Sequence, residues 1–149
     1  MLYYYRTDLA RYTGDVYPKA VVINSVAELD DYYEKNKDTY QFQLRHRRRL
    51  SMLEDVFEKK SRYSDRFFNS RPLLFIVLEE GSGSISHVVD STKTENGEIS
   101  VNIIRVIPEV CTAEMAQWHI VLFWDKISVN KDIKVVFHDK YLSEQRKSN

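Results

Sequence analysis

Leu73-Leu74-Phe75-Ile76-Val77-Leu78 runs directly into Glu79-Glu80-Gly81-Ser82-Gly83-Ser84-Ile85. Six apolar residues in a row, bounded by Pro72 and a glutamate pair, read as a strand covered on both faces. The apolar period changes here from helical to extended. Two of the four glycines fall in the tetrapeptide that follows, which predicts a turn of special backbone conformation ahead of a second strand. Beyond it, residues 85–94, 99–107, 118–125 and 133–138 are rich in β-branched and aromatic residues and read as strands. Glu95-Asn96-Gly97-Glu98 predicts a tight hairpin, because Asn-Gly tolerates the positive φ such a turn needs at both central residues.

Upstream, residues 2–7 and 20–24 read as short strands, the first carrying Tyr3, Tyr4 and Tyr5. Tyrosines on such a strand would pack alternate rings inward and leave the others as interface material. Ser25-Val26-Ala27-Glu28 is a capping box, and Val26, Leu29, Tyr32 and Tyr33 keep helical spacing, so a helix is predicted over residues 26–36. Residues 38–47 are ambiguous. Leu50, Leu53, Val56 and Phe57 predict a helix over 48–60, and Ser64-Asp65 opens a short helical turn carrying Phe67 and Phe68. The expected class is α+β: an antiparallel sheet or half-barrel formed mainly by residues 73–138, with helices from the first half packed on it.

At 149 residues the chain has the length of one globular domain, expected over residues 3–142, with a frayed polar tail at 143–149. Twenty-two basic residues balance 22 acidic ones, which provides no overall field for nucleic acid or anionic lipid. The lone cysteine, Cys111, excludes an internal disulfide and reads as a small buried hydrophobe. No apolar run reaches the roughly 20 residues of a membrane span. The N-terminal residues lack the charged and apolar regions of an export signal, so an unexported chain is expected.

The candidate contact residues are Glu79, Glu80, Ser82, Ser84, His87, Glu109, Thr112 and His119. The glycine-serine turn could aim backbone N–H groups at an anion, but the two glutamates before it would repel a phosphate and no P-loop lysine follows. Metal binding is not expected, since no His or Cys pair has ligand spacing, and no cofactor is implied. A serine-type hydrolase would combine Ser82 or Ser84 with His87 or His119 and a carboxylate of the 79–84 turn. The chain lacks the strand–elbow–helix pattern of such a nucleophile. For His119, between Trp118 and Ile120, a satisfied, half-buried strand histidine is the ordinary reading. The one basic run, Arg45-His46-Arg47-Arg48-Arg49, precedes Glu54, Asp55 and Glu58 and reads as a solvated helix face rather than a nucleic-acid site. A peptide binder that adds a strand to an exposed sheet edge is a further reading.

The segments 78–85, Pro108-Glu109-Val110 and Met115-Ala116-Gln117-Trp118-His119-Ile120 resemble a family of Gram-positive bacterial proteins and lipoproteins with no assigned activity. Tyr5-Arg6-Thr7, Ser25-Val26 with Glu28-Leu29 and Tyr32-Tyr33, and Tyr63-Ser64-Asp65 with Phe67-Phe68 fit the same pattern. More distantly, the second half is similar to the C-terminal domain of PrcB, a lipoprotein that stabilises a surface protease. The chain departs from the family at Cys111, where members tend to carry glycine, and at Ala113, where they tend to carry cysteine. It also lacks the export signal and lipidated cysteine usual in the family. The resemblance implies an envelope-associated, non-enzymatic module that binds or stabilises a protein or peptide partner. The turn at 79–84 and the loop at 108–115 would form its surface.

Overall fold

The computed structural model describes residues 2–42, 56–57, 63–123 and 132–142. In chain order its elements are β1 (Leu2–Arg6), β2 (Lys19–Ile23), α1 (Val26–Asn36), α2 (Asp65–Phe68), β3 (Leu73–Glu80), β4 (Ser86–Glu95), β5 (Glu98–Ile107), β6 (Ala116–Phe123) and β7 (Asp132–Tyr141). Residue contacts separate two compact units, dividing at Glu79/Glu80 and at Met115/Ala116. One holds β1, β2, both helices, β3 and β6; the other holds β4, β5 and β7. The single domain expected from chain length therefore comprises two units.

The first unit is built on a four-stranded sheet in the order β1-β6-β3-β2. β1 pairs antiparallel with β6, Tyr4 opposite Ile120, and β2 pairs antiparallel with β3, Val21 opposite Phe75. The six-residue apolar run of β3 is buried throughout, as a strand covered on both faces must be. Its alternation assigns Leu73, Phe75 and Val77 to one aromatic-rich core, together with Leu29 and Tyr32 of α1, Tyr40, Phe42, Tyr63 and Val121. The Tyr32 ring meets Phe75 edge-to-face at 4.9 Å.

α1 begins where the capping box places it. Ser25 Oγ accepts from the Glu28 N–H at 3.0 Å, and Glu28 Oε2 accepts in return from the Asn24 N–H. At α2, Ser64 occupies the N-cap position without a side-chain cap bond. The helix expected over 48–60 lies outside the described residues except for Val56 and Phe57, which are helical and buried. The basic run at 45–49 and the tail at 143–149 also lie outside them.

The second unit is a three-stranded sheet in the order β4-β5-β7. β4 and β5 form the predicted hairpin, with Asn96 at φ 51° and Gly97 at φ 79°, the paired positive values of a tight two-residue turn. β5 buries Ile99, Val101 and Ile103 on one face. β7 lies parallel to β5, in register from Glu98 opposite Asp132 to Ile107 opposite Tyr141.

Two expectations need correction. The strands after residue 73 do not form one sheet: β3 and β6 join β1 and β2, while β4, β5 and β7 pair among themselves. Nor is the pairing wholly antiparallel, because β6 intervenes between β5 and β7 and supplies the long crossover that a parallel neighbour requires. Apolar alternation is the same in both senses, so a pattern along one strand does not encode its neighbour's direction.

Candidate functional site

The second unit carries the clearest arrangement of polar groups. At the β3–β4 turn, Ser82 Oγ accepts from the Ser84 N–H at 3.1 Å, a local loop closed by a serine side chain. Both serine hydroxyls reach Thr112 Oγ1, at 3.1 Å from Ser82 and 3.2 Å from Ser84, and the Thr112 N–H donates to Ser84 Oγ at 3.2 Å. These bonds clasp the turn to the loop at 108–115. The serines act as brackets. The positive-φ glycines among the described residues are Gly14 and Gly97, so the turn does not use the left-handed conformation its glycines allow.

The clasped loop presents apolar side chains outward: Val110 is 83% exposed and Met115 59%. Cys111 is exposed too, its thiol 3.4 Å from the Pro108 carbonyl, and is not the buried hydrophobe its neighbours suggested. Glu109 and Thr112 share this exposed stretch. A thiol in a surface loop has no apolar layer to enter, which is why residue type alone misplaced it.

Beside the turn, an ion network crosses the three-stranded sheet. His87, Arg105 and Asp139 stand directly opposite one another on β4, β5 and β7. Glu80 Oε1 accepts from His87 Nε2 at 2.9 Å and from Arg105 Nε at 2.8 Å, while its Oε2 accepts from Arg105 Nη2 at 2.7 Å. Arg105 Nη1 also donates to Asp139 Oδ1 at 2.8 Å. Burial acts to raise the Glu80 carboxyl, but the donors from Arg105 and His87 outweigh it and hold the group below the usual carboxylate range. Burial lowers His87, against the pull of Glu80, so the imidazole is neutral at pH 7 and its Nε2 carries the proton given to Glu80. A carboxylate receiving three donors is a poor proton acceptor for a substrate, so the network suits holding strands in register.

His119 belongs to the first unit and is fully buried. Its Nδ1 lies 2.6 Å from Thr7 Oγ1 and its Nε2 lies 2.6 Å from Tyr32 Oη. The rings of Tyr40 and Phe42 stand edge-to-face to it at 4.8 and 5.4 Å. Burial, with the Lys19 charge adding to it, pushes the imidazole down to about 3, and burial raises the Tyr32 phenol. A neutral imidazole offers one donor and one acceptor, and two hydroxyls satisfy both. Glu79, in the same unit, accepts from Gln117 Nε2 at 2.9 Å.

Of the eight residues singled out from the sequence, Ser82, Ser84 and Thr112 meet in the clasp, and Glu80 and His87 meet in the ion network. His119 lies where no partner can touch it, and Glu80, Ser82 and His87 are also buried. The side-chain partner of both serine hydroxyls is Thr112, not a histidine. Sequence reading missed Arg105 and Asp139. Arg105 could have been suspected as the charge interrupting Ile103-Ile104-Arg105-Val106-Ile107, whereas Asp139 becomes visible only through the parallel register. Among the described residues, no group of three or more His, Cys, Asp or Glu side chains converges as metal ligands, and no helix is long and apolar enough to cross a membrane. No family model matches the chain, and neither a curated protein nor a solved structure is found to be similar to it.

Proposed function

We propose that this chain is a non-enzymatic protein-interaction module that engages a protein partner through the loop at 108–115. The observation that carries this reading is the outward presentation of Val110 and Met115 on a loop pinned by Thr112 to Ser82 and Ser84. Apolar side chains held in place before binding lose little conformational freedom in a complex, which favours affinity. Their partner is a protein surface with a small apolar pocket, and the envelope association implied by the family resemblance belongs to the same proposal. The ion network and the enclosed His119 support a binding role, because Glu80, His87, Arg105 and His119 are each tied to other side chains of the chain itself.

Affinity capture from the source cells with wild type and with Val110→Ser/Met115→Ser tests the reading. Both positions are exposed, so the variant should fold normally and lose the captured protein by about tenfold or more, as expected when two apolar anchors are removed. Equal recovery by both proteins would sink the assignment of this loop. A hydrolase has no comparable supporting observation.

A further inference from the structure

Among the described residues, both sulfur-bearing side chains lie in the loop at 108–115, and both face solvent. Cys111 is exposed, and Met115, four residues on, is 59% exposed. Met115 is also one of the two apolar anchors of the proposed binding surface. A thioether in that position combines two properties. Its flexible, polarisable chain fits an apolar pocket, and its exposed sulfur is within reach of oxidants in solution.

The attachment of the loop does not involve that sulfur. Thr112 ties it to Ser82 and Ser84 through hydroxyl oxygens and one backbone N–H, and Cys111 Sγ donates to the Pro108 carbonyl. None of these bonds uses a Met115 atom. A change of chemistry at Met115 therefore alters the face of the loop while leaving its clasp in place.

We propose that Met115 is a reversible oxidation site through which a hydroperoxide releases the bound partner; this rests on the reading of the loop as the binding surface. The Met115 sulfur attacks one oxygen of the hydroperoxide, so that an S–O bond forms and the O–O bond breaks. The departing oxygen takes over the proton of the transferred one and leaves as water or an alcohol. Sulfur loses two electrons and the peroxide gains them. Reduction by a dithiol returns the thioether, with a disulfide and water as products. The sulfoxide is polar, and its oxygen is a hydrogen-bond acceptor that an apolar pocket leaves unsatisfied, so the oxidised side chain no longer fits the site. Val110 has no such chemistry, which confines the switch to one anchor of the two.

Limited treatment with hydrogen peroxide tests the proposal, with every comparison made in a Cys111→Ser background so that the thiol does not compete. Peptide mapping should find the added oxygen at Met115, and amide exchange over residues 108–115 should match that of the untreated chain. Capture of the partner should fall by about tenfold, and the two epimer-specific sulfoxide reductases with a dithiol should restore it. Met115→Leu, whatever its own level of capture, should show the same level before and after peroxide. Capture that is unchanged by sulfoxide at Met115, or that falls equally in treated Met115→Leu, overturns the proposal. So does a Met115 that stays reduced while Met1 and Met52 take up oxygen. If the oxidised chain keeps its partner but Val110→Ser/Met115→Ser loses it, the binding surface stands and the switch alone falls. If neither change affects capture, both fall.

Discussion

His119 sits between two hydroxyls in an aromatic enclosure, and the geometry makes Tyr32 more than a core ring. Its phenol closes the imidazole at Nε2 as Thr7 closes it at Nδ1. Tyr32→Phe would preserve the edge-to-face contact with Phe75 but leave a buried ring nitrogen without its partner. The expected cost is about 1–3 kcal/mol of stability, measured by urea unfolding. A change near zero would show that the hydroxyl contributes little. Trp118 and Ile120 suggest a half-buried His119, yet it is fully buried, because neighbours along a strand face opposite ways and do not report its burial.

At the scale of elements, hydroxyl groups rather than glycine conformations hold the β3–β4 turn against the β5–β6 loop. Thr112→Val removes the hydroxyl at the centre of the clasp while retaining the residue's β-branched shape. Amide exchange over residues 108–115 should then accelerate by about fivefold, corresponding to roughly 1 kcal/mol of lost net hydrogen bonding. The urea midpoint of the whole chain should barely move. If exchange in the loop is unchanged, the clasp does not order it. The pairing of this turn with this loop was expected from the family resemblance alone, not from the residue pattern of either stretch. The clasp atoms were not.

Across the whole molecule, three buried groups respond to acid in the same direction. Unfolded His119 and His87 take up protons near pH 6.5, whereas in the folded chain burial lowers both, His119 to about 3. Their contribution to stability is complete above pH 6.5 and is lost as pH falls below it, with a slope of up to about 1.4 kcal/mol per pH unit for His119. Glu80, also held below its unfolded value of 4.5, contributes above that value and loses its contribution on further acidification. The urea midpoint should therefore decline steadily from neutral pH into acid. His119→Gln should flatten the upper part of that decline, and a wild-type profile level through pH 6.5 would contradict the account.

What the sequence determined by itself was local. The Ser25/Glu28 capping box marked α1, Asn96-Gly97 marked the hairpin, and the run 73–78 marked a strand buried on both faces. Each depends on side-chain chemistry within a few residues. Tertiary structure decided which strands became neighbours, that β7 runs parallel to β5, and that His87, Arg105 and Asp139 form one row with Glu80 bridging His87 and Arg105. It also decided that His119 finds Thr7 and Tyr32. Those outcomes depend on contacts between distant parts of the chain, where strand period is compatible with either direction and either sheet, and burial and hydrogen-bond satisfaction select among them.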